Sequence, residues 1–398
     1  MLSLHFLQGK SIDREVFLKP PIEANRTKVL WKLKKCVYGL SDASRCWYFA
    51  LSEKLESLGC VRSMYDFGVF VWKLDGNLGG ILEMHVDDIV WSGFPEFEAL
   101  VVAPLCNQFN IGRQEARCFV HLGLSIQQDV TGITVDQINY IDSVEPIFLA
   151  NNRKGAKLDS CSAEEATNFR KLVGKLNWIA SQTRPDIAFE VCSLSSVMAC
   201  PKIGDVLMLN KVLARIKKSP LKVRFSHISE LRSCKIVLYT NASLANLSNG
   251  RSVSGIAIFL VDENGNCGPL LWKSNTIKRV VRSTLAAETC AGVDGLDAAY
   301  FLGKMCKEVF NFDIPIVHFT DNKPFYKNAH SSLMVEEHRL RIDLAIVKEM
   351  LQKQELERLS WVPKSDQLAD CLTKRGASCF LLFDVLESGK MVSNQVIS

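Results

Sequence analysis

The sequence predicts a multidomain chain of mixed α+β and α/β class, and three observations carry that expectation. The chain has 398 residues, enough for two or three domains at about 100–200 residues each. Hydrophobic residues make up 47% and charged residues 23%, a balance that fills real cores and excludes a disordered chain. The hydrophobic rhythm changes at Lys235. Before it, short hairpins alternate with amphipathic helices; after it, three strands, a helix, a strand, a helix, a strand and a helix read as one mixed five-stranded sheet with helices.

The elements follow in order. Residues 12–24 read as extended, because Pro20-Pro21 blocks a helix. Ser41 or Asp42 caps a helix over 41–58, with Trp47, Leu51 and Leu55 at helical spacing. Strand-like runs follow at 69–74, 80–84 and 89–91, the first leading into an Asp75-Gly76 turn. Residues 94–108 read as a helix, then 119–126 and 133–135 as a hairpin. Helices are predicted at 137–150 and 163–181, with another opened by Arg184-Pro185-Asp186. Residues 205–218 form a basic amphipathic helix ended by Pro220. Past 235, strands at 235–240, 255–261, 269–273, 314–320 and 356–362 surround helices at 282–309, 336–354 and 366–374. Trp272 and Trp361 fall on strands and read as core rather than as base-stacking platforms.

Composition narrows function only a little. The net charge of +5 hints at an anionic partner without identifying one. The 14 cysteines show no C-x-x-C pair and no zinc spacing, so they read as reduced thiols of a cytoplasmic or nuclear protein. The N-terminus lacks the apolar length and cleavage site of a signal peptide, and no run of apolar residues predicts a membrane span.

Two constellations carry chemistry. His85-Val86-Asp87-Asp88 puts adjacent carboxylates at a hairpin tip. They repel each other unless a hard cation such as Mg²⁺ takes both as oxygen ligands; taken alone, the dipeptide reads first as a solvated turn, where Asp is common. In the C-terminal half, Asn241 follows the first strand, Glu288 sits in the first turns of the long helix, Asp321 ends the fourth strand and Asp370 lies in the last helix. A sheet-plus-helix domain can bring such positions into one cleft, although scattered acids are usually surface residues.

Basic segments complete the set of candidates. Arg26, Lys28, Lys32, Lys34 and Lys35 precede the helix that carries Arg45. Lys211 and Arg215 lie on the basic helix, and Arg279 and Arg282 flank the start of the long one. Each is read either as a nucleic-acid-binding phosphate contact or as a solvated basic face.

The stretches around these residues resemble the Pol polyprotein of Ty1/copia-type retrotransposons. FLQGKSIDREVFLKPP (6–21), LWKLKKCVYGLSDASRCWY (30–48), the 85–88 pair, HLGLSI (121–126) and FRKLVGKLNWIASQTRPDIAFEV (169–191) resemble its reverse transcriptase blocks in order. YTNASLANL (239–247), RSTLAAET (282–289), HFTDNK (318–323) and SDQLADCLTK (365–374) resemble the four motifs of its ribonuclease H.

The resemblance implies a partial palm and thumb over 1–150, a helical connection over 151–230, a ribonuclease H-like domain over 231–377 and a tail over 378–398. It implies RNA-directed DNA polymerase and ribonuclease H chemistry by two-metal phosphoryl transfer. Asp87, Asp88, Glu288, Asp321 and Asp370 would be the catalytic residues, and Asn241 would join them around Mg²⁺. Its partners would be an RNA–DNA hybrid or primed RNA template and other Pol-derived chains. Both sites depart from the pattern. His85 stands where the family has Tyr or Phe, a third polymerase carboxylate falls at or before Met1, and Asn241 replaces a metal-bridging Asp. Both activities are therefore expected to be impaired; a non-cleaving nucleic-acid-binding module and a decayed transposon product are the alternatives.

Overall fold

The computed structural model describes residues 8–24, 29–86, 88–109, 111, 114–333 and 335–391. The chain falls into two compact units, residues 1–116 with 305–311, and residues 117–304 with 312–398.

The first unit opens with a two-residue strand pair, β1 (Phe17–Leu18) and β2 (Trp31–Lys32), both exposed. Helix α1 (Ala43–Ser57) follows, with Trp47, Leu51 and Leu55 buried as their spacing predicts. Gly59, at φ +85°, turns the chain out of it, a conformation glycine adopts without a Cβ penalty. Strands β3 (Cys60–Arg62), β4 (Val69–Leu74), β5 (Asn77–His85) and β6 (Asp88–Gly93) form an antiparallel meander. The predicted Asp75-Gly76 turn has both residues at positive φ. Trp47, Phe70, Leu82, Phe97, Val101 and Phe109 fill the core between this sheet and its helices.

The predicted helix at 94–108 is present but interrupted. It runs α2 (Pro95–Phe97), a π-helical turn (Glu98–Val102) and α3 (Ala103–Gln108). Pro104 has no N–H for the carbonyl one turn back, and a widened turn absorbs that missing bond.

The second unit begins with β7 (Cys118–His121), β8 (Leu124–Asp129) and β9 (Gly132–Asp136). Helix α4 spans only Ile138–Ser143, and α5 (Asn151–Lys154) is separate. The expected helix over 137–150 stops early because Pro146 disfavours helical geometry at Glu145. Helix α6 (Ala163–Gln182) starts on a capping box between Ser162 and Glu165, which satisfies two otherwise orphaned backbone donors. Helices α7 (Ala188–Ser195) and α8 (Ile203–Lys218) follow. Strand β10 (Val223–Ser226), not foreseen in the sequence, pairs with β9. That pairing ties the 118–136 strands to residues beyond the helical region, within the second compact unit.

From β11 (Lys235–Ser243) the chain runs through β12 (Val253–Val261) and β13 (Cys267–Thr276) into the long helix α9 (Thr284–Phe310). It continues with β14 (Ile316–Thr320), α10 (Lys323–His330), α11 (His338–Gln352) and β15 (Arg358–Trp361). The sheet order is β13-β12-β11-β14-β15, with β11–β14 and β14–β15 parallel and the rest antiparallel. This is the mixed five-stranded sheet that the sequence predicts.

Three local expectations change. Helix α10 was not foreseen, although Asn322 caps it by accepting the Phe325 N–H at 2.8 Å and Pro324 sits in its first turn, an ordinary helix start. Residues 366–374 are not a helix. Two 3₁₀ turns, Lys364–Asp366 and Asp370–Leu372, stand there, because the Gln367 amide reaches down to the Thr240 carbonyl at 2.9 Å and pulls the segment onto the sheet. Residues 380–388, expected as tail, form helix α12 (Phe380–Ser388) with Leu382, Val385 and Leu386 buried. One hydrophobic cluster runs from Ile141 to Met391, so residues 151–230 share a core with the sheet.

Candidate active site

Parallel pairing sets the geometry. Thr240 on β11 is in register with Thr320 on β14. The next residues, Asn241 and Asp321, therefore leave two neighbouring strands at the same end of the sheet. Helix α9 brings Glu288 to that end because Gly295 lets it lie close to β11; a Cβ there would stand 2.5 Å from Thr240 Cγ2. Asp370 arrives by the same logic. A Cβ on Gly255 of β12 would stand 2.8 Å from the Ala369 carbonyl and 2.8 Å from Thr373 Cγ2. Only glycine admits the 369–373 turn at that distance.

The four positions converge. The Asn241 side-chain amide donates to Asp370 Oδ1 at 2.9 Å and to Thr373 Oγ1 at 3.4 Å, while its own carbonyl accepts the Ala242 N–H at 2.8 Å. Lys374 Nζ donates to the same Asp370 oxygen at 2.6 Å. Glu288 is 6% exposed, and its Oε2 has no hydrogen-bond partner. Burial, reinforced by the charges of Asp321 and Asp370, pushes its carboxyl up to about 8. Burial and Asp370 also raise Asp321, against a hydrogen bond from Gln367. Below the site, Thr240 Oγ1 and His318 Nε2 are 2.7 Å apart, and burial drives the His318 imidazole down to about 3, so it stays neutral.

An uncompensated buried carboxyl is costly, and a divalent cation is one way to compensate it. Glu288 and Asp321 fit that role. Asp370 and Asn241 fit a second cation poorly, since the Lys374 ammonium already balances the Asp370 charge and shares its Oδ1 with the Asn241 amide, and the Asn241 carbonyl accepts the Ala242 N–H. Among the described residues no three His, Cys, Asp or Glu side chains stand close enough to share an ion.

The hairpin of the first unit is built as the sequence suggests, with His85 opposite Asp88; Asp87 lies outside the described residues. Val86 has φ +54°, an outlier for a β-branched residue. The Trp47 indole N–H donates to the Val86 carbonyl at 2.7 Å and fixes that turn. Arg26 and Lys28 lie outside the described residues.

Several basic candidates are already committed within the fold. Lys32 pairs with Glu15, Arg279 with Asp343 and Cys290, and Arg215 with the buried Glu190 at 2.9 Å. Lys34, Lys35, Arg45, Lys211 and Arg282 are exposed. Arg45 lies over the Phe49 ring. Trp272 is core, as read from the sequence, but Trp361 is 38% exposed, carries Lys323 over its ring at 4.4 Å and donates its indole N–H to the Asp321 carbonyl at 3.0 Å. It flanks the site rather than filling the core.

The sequence reading also passed over Lys374, whose i,i+4 spacing from Asp370 was the available signal. It missed a further face on α6, where exposed Lys171, Gly174 and Lys175 lead to half-buried Trp178. A Cβ on Gly174 would meet nothing within 4 Å, so packing does not call for a glycine in mid-helix.

The chain is similar to reverse transcriptases and to retrotransposon Pol polyproteins. Residues 2–156 match the family of reverse transcriptases (RNA-dependent DNA polymerase). The chain is 27% identical over 386 residues to the Retrovirus-related Pol polyprotein from transposon RE1 of Arabidopsis thaliana, covering 93% of this chain and 26% of that protein. It is 24% identical over 397 residues to the corresponding polyprotein of transposon TNT 1-94 of Nicotiana tabacum, covering 93% of this chain and 29% of the relative. The chain thus spans between a quarter and a third of the length of these relatives. RNase H1 of Halobacterium salinarum matches 35% of this chain and 94% of its own at 23% identity, with a TM-score of 0.28. The resemblance to copia-type Pol read from the motifs is borne out. No helix among the described residues is long and apolar enough to cross a membrane.

Proposed function

We propose that this chain acts on RNA–DNA hybrids through a weakened ribonuclease H-type centre at the strand ends of the five-stranded sheet. The observation that carries the reading is the meeting of Asn241, Glu288, Asp321 and Asp370 there. In this reading residues of the 1–150 region are palm and thumb, 151–230 the connection and 231–377 the ribonuclease H-like domain. Mg²⁺, when bound by such a centre, polarises a water and offsets charge on the leaving oxygen.

The chain's own groups do the rest. Asp321 and Glu288 supply carboxylate oxygens, the Gln367 amide orients Asp321, and Trp361 with Lys323 meets the strand alongside. Asn241 stands in place of a bridging carboxylate and lacks its charge, and its carbonyl accepts the Ala242 N–H rather than facing the ion. Lys171 and Lys175, with exposed Lys211 and Arg282, give a phosphate-binding surface whose affinity falls with salt. A primed RNA template and other Pol-derived chains are the proposed partners of the hairpin unit, where Asp87 and Asp88 are the proposed metal-binding pair.

The test is a labelled RNA–DNA hybrid incubated with the purified chain and Mg²⁺. Hybrid binding that weakens with salt, slow cleavage abolished by Glu288→Gln, and faster cleavage by Asn241→Asp are expected. Salt-independent or absent hybrid binding overturns the reading.

A further inference from the structure

The corner of the site built by Asp370 holds an arrangement that carboxylates alone do not explain. Asp370 Oδ1 receives two donors, the Asn241 amide at 2.9 Å and the Lys374 ammonium at 2.6 Å. Thr373 locks the corner from both sides. Its hydroxyl accepts from Asn241 at 3.4 Å and donates to the Asp370 carbonyl at 2.9 Å, and its own carbonyl takes Ser243 Oγ at 2.8 Å and Asn246 Nδ2 at 3.0 Å. The Asp370 and Lys374 side chains are 18% and 37% exposed, so this pair is better shielded than an open surface ion pair. On the far side, buried Glu288 keeps an oxygen with no partner. The Lys374 charge is also felt by Glu288 and Asp321.

We propose that Lys374 is the built-in counter-cation of this site: it occupies Asp370 together with Asn241, competes with divalent cations for the carboxylate set, and leaves room for one such cation, between Glu288 and Asp321. The inference rests on the ribonuclease H-type reading of the site and names the residue that weakens it. The chemistry follows from the donor set. Asp370 Oδ1 accepts an ammonium and an amide, so that oxygen has no lone pair left for a hard cation, and the ammonium already balances the carboxylate charge that would attract one to the other oxygen. An Asp at 241 would repel Asp370 instead of donating to it, so Asn241 and Lys374 belong to one arrangement in which charge is balanced without a second ion.

Calorimetric titration of the full chain with Mn²⁺ tests this, with Asp87→Asn and Asp88→Asn present in every sample so that the hairpin pair takes no ion; wild type below means unchanged at 241 and 374, and it is compared with variants Lys374→Gln, Lys374→Arg, Asn241→Asp and Asn241→Asp/Lys374→Gln. Wild type should bind one Mn²⁺ weakly. Lys374→Gln removes the charge and should tighten that site by about tenfold or more, whereas Lys374→Arg keeps the charge and should bind as wild type does. The double variant should bind two. Equal Mn²⁺ affinity in wild type and Lys374→Gln, or two sites in wild type, overturns the proposal. The same samples titrated with labelled hybrid in chelator report the underlying reading separately. Intact hybrid binding with unchanged Mn²⁺ affinity defeats only the counter-cation, while lost hybrid binding with tightened Mn²⁺ affinity defeats only the hybrid reading.

Discussion

Glu288→Gln should make the second unit more stable at alkaline pH and leave it nearly unchanged at acid pH. Glu288 is 6% exposed, with an unpartnered oxygen, and its carboxyl is pushed from the usual 4.5 to about 8, first by burial and then by Asp321 and Asp370. A raised folded-state value means the folded chain holds a proton that the unfolded chain releases. Stability from this group is therefore fully present below 4.5 and is lost as pH rises to about 8. With one proton at stake, the slope is about 1.4 kcal/mol per pH unit across that window. Gln removes the ionisation and so the slope. Urea unfolding of both proteins at intervals from about pH 5 to about pH 8, in chelator, isolates the term as the difference between two curves. At neutral pH and above the variant should be more stable by about 1–4 kcal/mol, the lower figure allowing for water entering the site. Added Mn²⁺ should flatten the wild-type slope. Parallel curves for wild type and Glu288→Gln in chelator would refute the reasoning, since they would show that Glu288 ionises in the fold as easily as in the unfolded chain.

Three further outcomes are expected. Gly255→Ala should cost about 1–3 kcal/mol by overpacking the 369–373 turn, read as a lower thermal midpoint together with altered Mn²⁺ affinity; an unchanged midpoint means the turn is not held against β12. Trp47→Phe keeps an aromatic ring but loses the bond to the Val86 carbonyl, at a cost of about 1 kcal/mol, and faster amide exchange confined to the β5–β6 hairpin checks it. Changing Lys171 and Lys175 together to Ala should reduce the slope of log affinity against log salt for duplex DNA by about 1–2; an unaltered slope removes α6 from the binding surface.

Much of the fold was legible because its signals are local. The Asp75-Gly76 turn, the helical spacing of Trp47, Leu51 and Leu55, and the strand–helix order after Lys235 each need only near neighbours in sequence. The misreadings have local causes as well. Pro146 cut a helix whose apolar pattern ran on, Pro104 forced a π-turn that periodicity does not register, and α10 was hidden by a short segment with an ordinary cap. Strand β10 was missed for a different reason, because a four-residue run becomes a strand only when β9 lies beside it.

The site divides along the same line. The sequence by itself determined which acids are present, that Asn241 stands where the resembling enzymes have a carboxylate, and that the basic residues cluster in segments. Tertiary structure decided what those groups face. It spent Arg279 on Asp343 and Arg215 on Glu190, turned Trp361 outward beside Asp321, and set Asn241 and Lys374 on one oxygen of Asp370. The reason is physical. Periodicity and turn chemistry act over a few residues, whereas the meeting of Asn241 with Asp321 depends on parallel register between β11 and β14, and its meeting with Asp370 on the room left by Gly255 and on the Gln367 amide drawing a distant turn onto the sheet.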